Sequence, residues 1–391
     1  MTGKPCAIVV GLMASFAFLT TVAGAEASTV EWKVLVYLDA DNSLDVEAGI
    51  YHEDIVQIDL DEMMRVGSGD YVDVFVLMDR YEDVASVWKV HKGSMELLEC
   101  EGISGIEVDM GSPEVLETYV SFTESMSAAT KTCLFFWDHG SPEGVAWDDN
   151  TGSDAEPNWL THWEVVSALE DHGMDLIATD ECMTGQMEVA WEYHVGLPQL
   201  SYAVLAECYT GWRGFLYDEI LQGLSTQDVT PRELAEMIVS TTYVYFLDPP
   251  FMSELVTSHT AVDMYMLDDL KDSLAAFAAQ IADVPDAVVH YAACQANILW
   301  GEKSTGFVDI QVFVEAIAES VSSQAVRDAC TEVSSSLSAV VVGIADSHVS
   351  DDFQNGLGIW VPYQAPESTD LYTEYAFSET GWLEFLEMYW G

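Results

Sequence analysis

Two short stretches carry side chains whose types could act together. Cys182 sits in D-L-I-A-T-D-E-C-M-T-G, residues 175 to 185, and His139 in T-C-L-F-F-W-D-H-G, residues 132 to 140. A cysteine thiolate attacks a carbonyl carbon when a base takes its proton and a pair of N–H groups holds the oxyanion that forms. His139 supplies the base. Gly140 lets the backbone approach a substrate closely, so its N–H and that of Cys182 can form the oxyanion hole. The amphipathic pattern that begins after Gly185 also puts a helix N-terminus near the thiol, which is expected to lower its pKa. Taken alone, Cys182 reads as a small buried residue, the commonest fate of a free cysteine, and His139 as a satisfied strand-end histidine. The pairing of the two is what points to catalysis.

That pairing needs both residues on one edge of one sheet. Val34 to Asp39 and Tyr71 to Met78 are near-continuous apolar runs, as are the residues just before His139 and before Asp180. Such runs mark strands buried on both faces, the habit of parallel sheets covered by helices. Ser86 to His91 alternates and reads as an exposed strand, and Ser201 to Glu207 as a further strand. Helices are expected from Glu114 to Met126 behind Pro113, and after Thr161, where Glu164 completes a capping box. The order of strand, loop, helix and strand between His139 and Cys182 predicts a right-handed crossover that makes the two strands parallel neighbours. Both residues then lie at strand carboxyl ends, where open α/β sheets bind ligands.

Composition excludes several classes of function. The 391 residues include 12 Lys and Arg against 67 Asp and Glu, a net charge of -55. A surface of that sign repels phosphate backbones and anionic lipid heads, so nucleic acid is not an expected partner. Self-repulsion on this scale is relieved at molar salt, where the Debye length is about 3 Å. A salt-rich setting and an ordinary acidic protein are both compatible with it. Lys4, the apolar run Ala7 to Val22 and the small residues Ala23, Gly24 and Ala25 read as a secretory signal over 1–25, with an uncleaved membrane anchor as the alternative. The expected location is therefore secreted or cell-surface, with membrane contact only if that segment is retained. Cysteines are too few and too widely spaced for a disulfide scaffold or a C-x-x-C metal site, although Cys294 and Cys330 are one candidate pair. No G-x-S-x-G elbow occurs, which leaves a serine hydrolase without support.

With these residues in view, the chain resembles the clostripain family of cysteine peptidases, which share a caspase-like fold with gingipain, legumain and separase. The resemblance runs through V-L-V-Y-L-D-A-D-N-S-L-D at 34 to 45, F-F-W-D-H-G at 135 to 140, D-L-I-A-T-D-E-C-M-T-G at 175 to 185 and G-W-R-G-F-L-Y at 211 to 217. It continues in T-A-V-D-M at 260 to 264, F-V-D-I at 307 to 310 and G-L-G-I-W-V-P at 356 to 362. It implies a three-layer α/β sandwich with a mostly parallel sheet: a catalytic domain over 30–250, and a largely helical region over 251–391 that packs on it and adds a late strand. It also implies an endopeptidase acting through His139 and Cys182 by an acyl-enzyme, on proteins or peptides with Arg or Lys at the cleavage site. Asp180 of the D-x-C motif would select the cation, because a carboxylate pairs strongly with guanidinium or ammonium. Glu207, at the next strand end, is a second candidate there. Asp138 is left out of the dyad.

No Lys or Arg lies between Ser141 and Glu181, which excludes self-cleavage after a basic residue in that interval. No cofactor is expected to be required. Calcium is the one candidate, through oxygen ligands at Asp148, Asn150, Gly152, Asp154 and Glu156, against a solvated acidic loop. The turn Asp39 to Asp45 is no EF-hand, since Leu44 stands where that loop needs Gly and Ile50 where it needs Glu. The alternative function is a non-catalytic exported protein of the same fold whose acidic cleft binds basic peptides or cations.

Overall fold

The computed structural model describes residues 29–48, 53–81, 83–151, 158–211, 213–246, 258–298, 306–346 and 355–391. The N-terminal segment 1–25 and the prolines at 249 and 250 lie outside them. β1 (Val30–Ala40) is buried along nearly its whole length. Its side chains divide by the two-residue period of a strand: Leu35 and Tyr37 enter one apolar core, while Trp32, Val34, Val36, Leu38 and Ala40 enter another on the opposite face. A run apolar at every position therefore needs a covering layer on both sides, and the fold supplies three layers.

In chain order the remaining strands are β2 (Val72–Arg80), β3 (Ser86–His91), β4 (Ser94–Leu98), β5 (Ala129–Trp137), β6 (Gly144–Asp148), β7 (Asn158–Thr161), β8 (Leu176–Asp180), β9 (Tyr202–Leu205), β10 (Ser258–Asp263), β11 (Phe307–Asp309), β12 (Val341–Asp346) and β13 (Gly358–Trp360). Nine of them form one sheet in the order β12-β10-β9-β8-β5-β1-β2-β3-β4. The inner five, β9, β8, β5, β1 and β2, run parallel, and antiparallel strands finish both edges. Helices Ile55–Val66, Tyr217–Leu224 and Pro231–Phe246 cover one face. The other face carries helices Pro113–Met126, His162–Leu169, Met187–Gly196 and Leu267–Ile281 with the C-terminal helices.

The expected crossover is present. The helix His162–Leu169 opens with the predicted capping box, Thr161 accepting from the Glu164 N–H while the Glu164 carboxylate accepts from the Thr161 N–H, and it leads into β8 beside β5. Three features depart from expectation. Residues beyond 250 do more than pack on the sheet, because β10 and β12 extend it antiparallel from β9. The late strand β13 pairs with β11 in a separate two-stranded ribbon. The polar loop after Ser141 contains a hairpin, β6 with β7.

All six described cysteines are free thiols, Cys294 exposed and Cys330 buried, so the pair drawn from sequence is not bonded. Among the described residues no helix is long and apolar enough to cross a membrane.

Candidate active site

The site is built by the register of two strands. β5 and β8 align Trp137 with Asp180 at the end of their ladder, so Asp138 and His139 leave one strand beside the point where Glu181 and Cys182 leave the other. His139, Cys182 and Asp180 line one cavity of about 310 Å³, together with Trp137, Thr210 and Gly214. The sequence-derived pair and the proposed selecting acid are thus brought together.

Past Cys182 the chain turns sharply. Met183 takes a left-handed conformation, φ 62°, which costs a residue with a side chain of order 1 kcal/mol or more and is held only by its surroundings. The Met183 N–H donates to Cys208 O at 2.8 Å and the Gly185 N–H to Ala206 O at 2.7 Å, stapling the turn to the chain that leaves β9. A Cβ on Gly185 would stand 2.6 Å from the Glu207 backbone nitrogen. The helix that follows begins only at Met187, so the thiol is not seated on a helix N-terminus. The expected lowering of its pKa is accordingly reversed: burial raises it, partly offset by Thr210, whose N–H donates to Sγ at 3.3 Å and whose hydroxyl lies 3.5 Å away.

His139 is half-buried, and loss of hydration lowers its pKa. Its Nε2 lies 2.8 Å from the Ser43 hydroxyl. Ser43 belongs to the acidic turn after β1, and that turn is pinned by Arg80 at the end of β2, which donates to both oxygens of buried Asp45 at 2.7 and 2.9 Å. From the same turn Asn42 donates to Asp138 at 2.6 Å and to the Trp147 carbonyl at 2.8 Å. Asp138 also accepts from the Trp147 N–H. Its side chain is thus occupied in holding β6 and the turn.

Gly140 packs against the Cys182 turn so closely that a Cβ there would stand 2.8 Å from the Cys182 carbonyl oxygen and 2.7 Å from Glu181 Cβ. The closeness is to the protein's own chain, whereas the sequence reading gave Gly140 a close approach to substrate. Asp180, which lines the cavity, is buried, and burial pushes its carboxyl up to about 7. One oxygen accepts from the Phe215 N–H at 2.8 Å and the Tyr217 hydroxyl at 3.2 Å, and the other, Oδ1, has no protein partner. Gly214, at φ 58°, leaves the room this needs: a Cβ there would fall 2.2 Å from Asp180 Oδ2.

Glu207 is placed elsewhere. It is buried, accepts from the Gly356 N–H at 2.9 Å and does not line this cavity, so here it ties β9's exit to the C-terminal segment. Of the calcium candidates, Asp148 is buried and accepts from the Met110 N–H at 2.8 Å and the Asn150 N–H at 2.8 Å, while residues 152, 154 and 156 lie outside the described chain. Among the described residues no cluster of His, Cys, Asp and Glu is disposed to hold a metal ion. Ser43, Thr210 and Gly214 were not foreseen individually, although Ser43 and Gly214 lie within quoted motifs and Thr210 directly precedes the G-W-R-G-F-L-Y segment.

A mostly parallel sheet between two helical layers, with a cysteine and a histidine at adjacent strand ends, is the caspase-like α/β architecture of cysteine proteases. Two solved structures share it. An inactive zymogen C11 protease from Parabacteroides distasonis superposes with a TM-score of 0.69 at 16% identity, covering 90% of this chain and 98% of that one. A secreted C11 cysteine protease from Bacteroides thetaiotaomicron, in complex with an irreversible peptide inhibitor, gives 0.66 at 15% identity over 90% and 99% of the two chains. At such identities the likeness shows the fold alone. The chain belongs to the clostripain family, whose family model matches residues 36–390. Clostripain of Hathewaya histolytica is 29% identical over 236 residues, which cover 51% of this chain, and the chain spans 43% of that relative's length.

Proposed function

We propose that the protein is an exported cysteine endopeptidase that cleaves after Arg or Lys. The observation that carries the reading is a single cavity lined by His139, Cys182 and Asp180, whose carboxylate has one oxygen without a protein partner. A cationic side chain entering it would meet that oxygen, and its scissile carbonyl would lie against Sγ. The thiol and the imidazole are both held neutral by burial. Attack therefore proceeds with the thiol proton passing to His139 as the C–S bond forms, and the Ser43 contact must yield to one with the thiol. The imidazolium then protonates the leaving amine, and water hydrolyses the thioester. The N–H groups of Gly140 and Cys182 hold the oxyanion in both steps. Export rests on the basic, apolar and small-residue order of positions 4 to 25.

The same neutral thiol and serine-bound imidazole favour, as a second reading, a protein that retains basic peptides without cutting them. Hydrolysis of small Arg and Lys amide substrates in high salt, by the wild type and by Cys182→Ala, separates the two. Turnover lost in Cys182→Ala supports the peptidase; equal rates in both proteins overturn it.

A further inference from the structure

Across the Cys182 and His139 turns from the Asp180 cavity lies a second one, of about 450 Å³. Its lining starts where the first site ends: Ser141 follows Gly140, Met183 follows Cys182, and Tyr209 precedes Thr210. Its walls are aromatic, from Tyr209, Phe307, Trp360, Tyr372 and Tyr375. Glu188, only 2% exposed, lines the same cavity. One of its oxygens accepts from the Trp360 N–H at 3.0 Å and the Tyr372 hydroxyl at 3.1 Å, and the other, Oε2, has no protein partner. A buried carboxylate oxygen left without a donor is costly to the fold, which makes such an atom a candidate ligand contact. The exposed Glu143 stands at the rim as a second acid.

We infer that this cavity is a second substrate subsite for a basic side chain, so that the enzyme favours peptides carrying another Lys or Arg close to the cleaved residue. The aliphatic stem of such a side chain would lie against the aromatic walls, where a cation is also attracted to ring faces. Its head would donate to Glu188 Oε2. A neutral aliphatic residue of the same length would fill the walls and leave that oxygen unmet. The inference rests on the peptidase reading for its position beside the scissile bond, and on the cavity alone for its ligand chemistry.

The test is a peptide library with Arg at the cleavage position and Lys, Arg, norleucine or Phe at each of the neighbouring positions on either side, read as kcat/KM at mildly alkaline pH. One position is expected to prefer Lys or Arg over norleucine by roughly tenfold, the worth of one charge-assisted hydrogen bond. Glu188→Gln, which keeps an acceptor for Trp360 and Tyr372, should bring that ratio to about one. Leu371→Arg, at a 43% exposed rim position, should abolish the ratio without disturbing the buried carboxyl, and serves if Glu188→Gln does not fold. No basic preference at any position, a preference for Phe, or a ratio that survives both substitutions overturns the inference. If no substrate is turned over, the peptidase reading fails on its own. Binding of dibasic against monobasic peptides to Cys182→Ala then decides the subsite.

Discussion

At Asp180, desolvation and selectivity pull against each other. Burial lifts its carboxyl to about 7, so near neutrality the group that should select a cation is only partly charged. A guanidinium on Oδ1 would draw the value back down, since an opposite charge favours the ionised form. The sign follows directly: below about pH 7 the free carboxyl is protonated and pairing weakens, and above it pairing is complete. The ratio of kcat/KM for an Arg substrate over its citrulline counterpart should therefore rise as pH passes upward through about 7. Asp180→Asn should flatten that curve and lower the ratio by roughly 10-fold to 100-fold. A ratio that is high and pH-independent in the wild type would remove Asp180 from the role. At this scale the sequence was informative because strand ends are informative: His139, Gly140, Asp180 and Cys182 all follow apolar runs whose termination can be read. Glu207 follows such a run too, yet Gly356 closes over it from a segment far along the chain, and no local pattern announces that. Ser43 and Thr210 went unread because hydroxyl side chains occur everywhere.

Elements repeat the contrast. The inner strands were legible since residues buried on both faces cannot alternate, and the capping box of Thr161 and Glu164 marked its helix to the residue. β12 was not, because it follows directly on the helix Gln324–Val340 with an apolar run, V-V-V-G-I, that periodicity cannot divide into helix and strand. β6 was hidden among polar residues. It matters to the site: successive N–H groups of Ala146, at φ 52°, and Trp147 donate to Glu181 and Asp138, the acids beside Cys182 and His139. The capped helix feeds the strand that carries Cys182, yet its cap touches nothing in the cavity. Thr161→Ala should therefore lower unfolding free energy by about 1 kcal/mol in denaturant titration, with kcat/KM per folded molecule unchanged. A loss of activity at full stability would show that the cap reaches the site.

The molecule as a whole carries its acidity inward as well as outward. Burial and neighbouring carboxylates push Asp41 to about 7 and Asp79 to about 9, and burial pushes Asp148 to about 6 and Glu188 to about 7. These folded values lie above those of an unfolded chain, near 4, so from about pH 4 to 9 the native state holds more protons than the unfolded one. Stability is thus greatest at the acidic end of that window and falls as pH rises through it. Thermal melts should show the midpoint dropping between pH 5 and 9 in dilute buffer, with molar salt restoring part of the loss by screening the exposed share of the -55 charge. A midpoint that climbs with pH would mean the buried acids are ionised and paired. The composition showed the charge; only the fold shows which carboxylates are enclosed.

The alignment of Trp137 with Asp180 also decides what a cut would do. Residue 139 follows one strand and residue 182 the next, and β6 and β7, which lie between them in the chain, form a separate ribbon outside the nine-stranded sheet. The five-residue ladder of β5 with β8 and the two cores hold the strands together without help from that connection. A polypeptide severed there is expected to remain a two-piece complex, each piece carrying one member of the proposed pair. Its activity would then report on the association of the pieces, as in a split reporter.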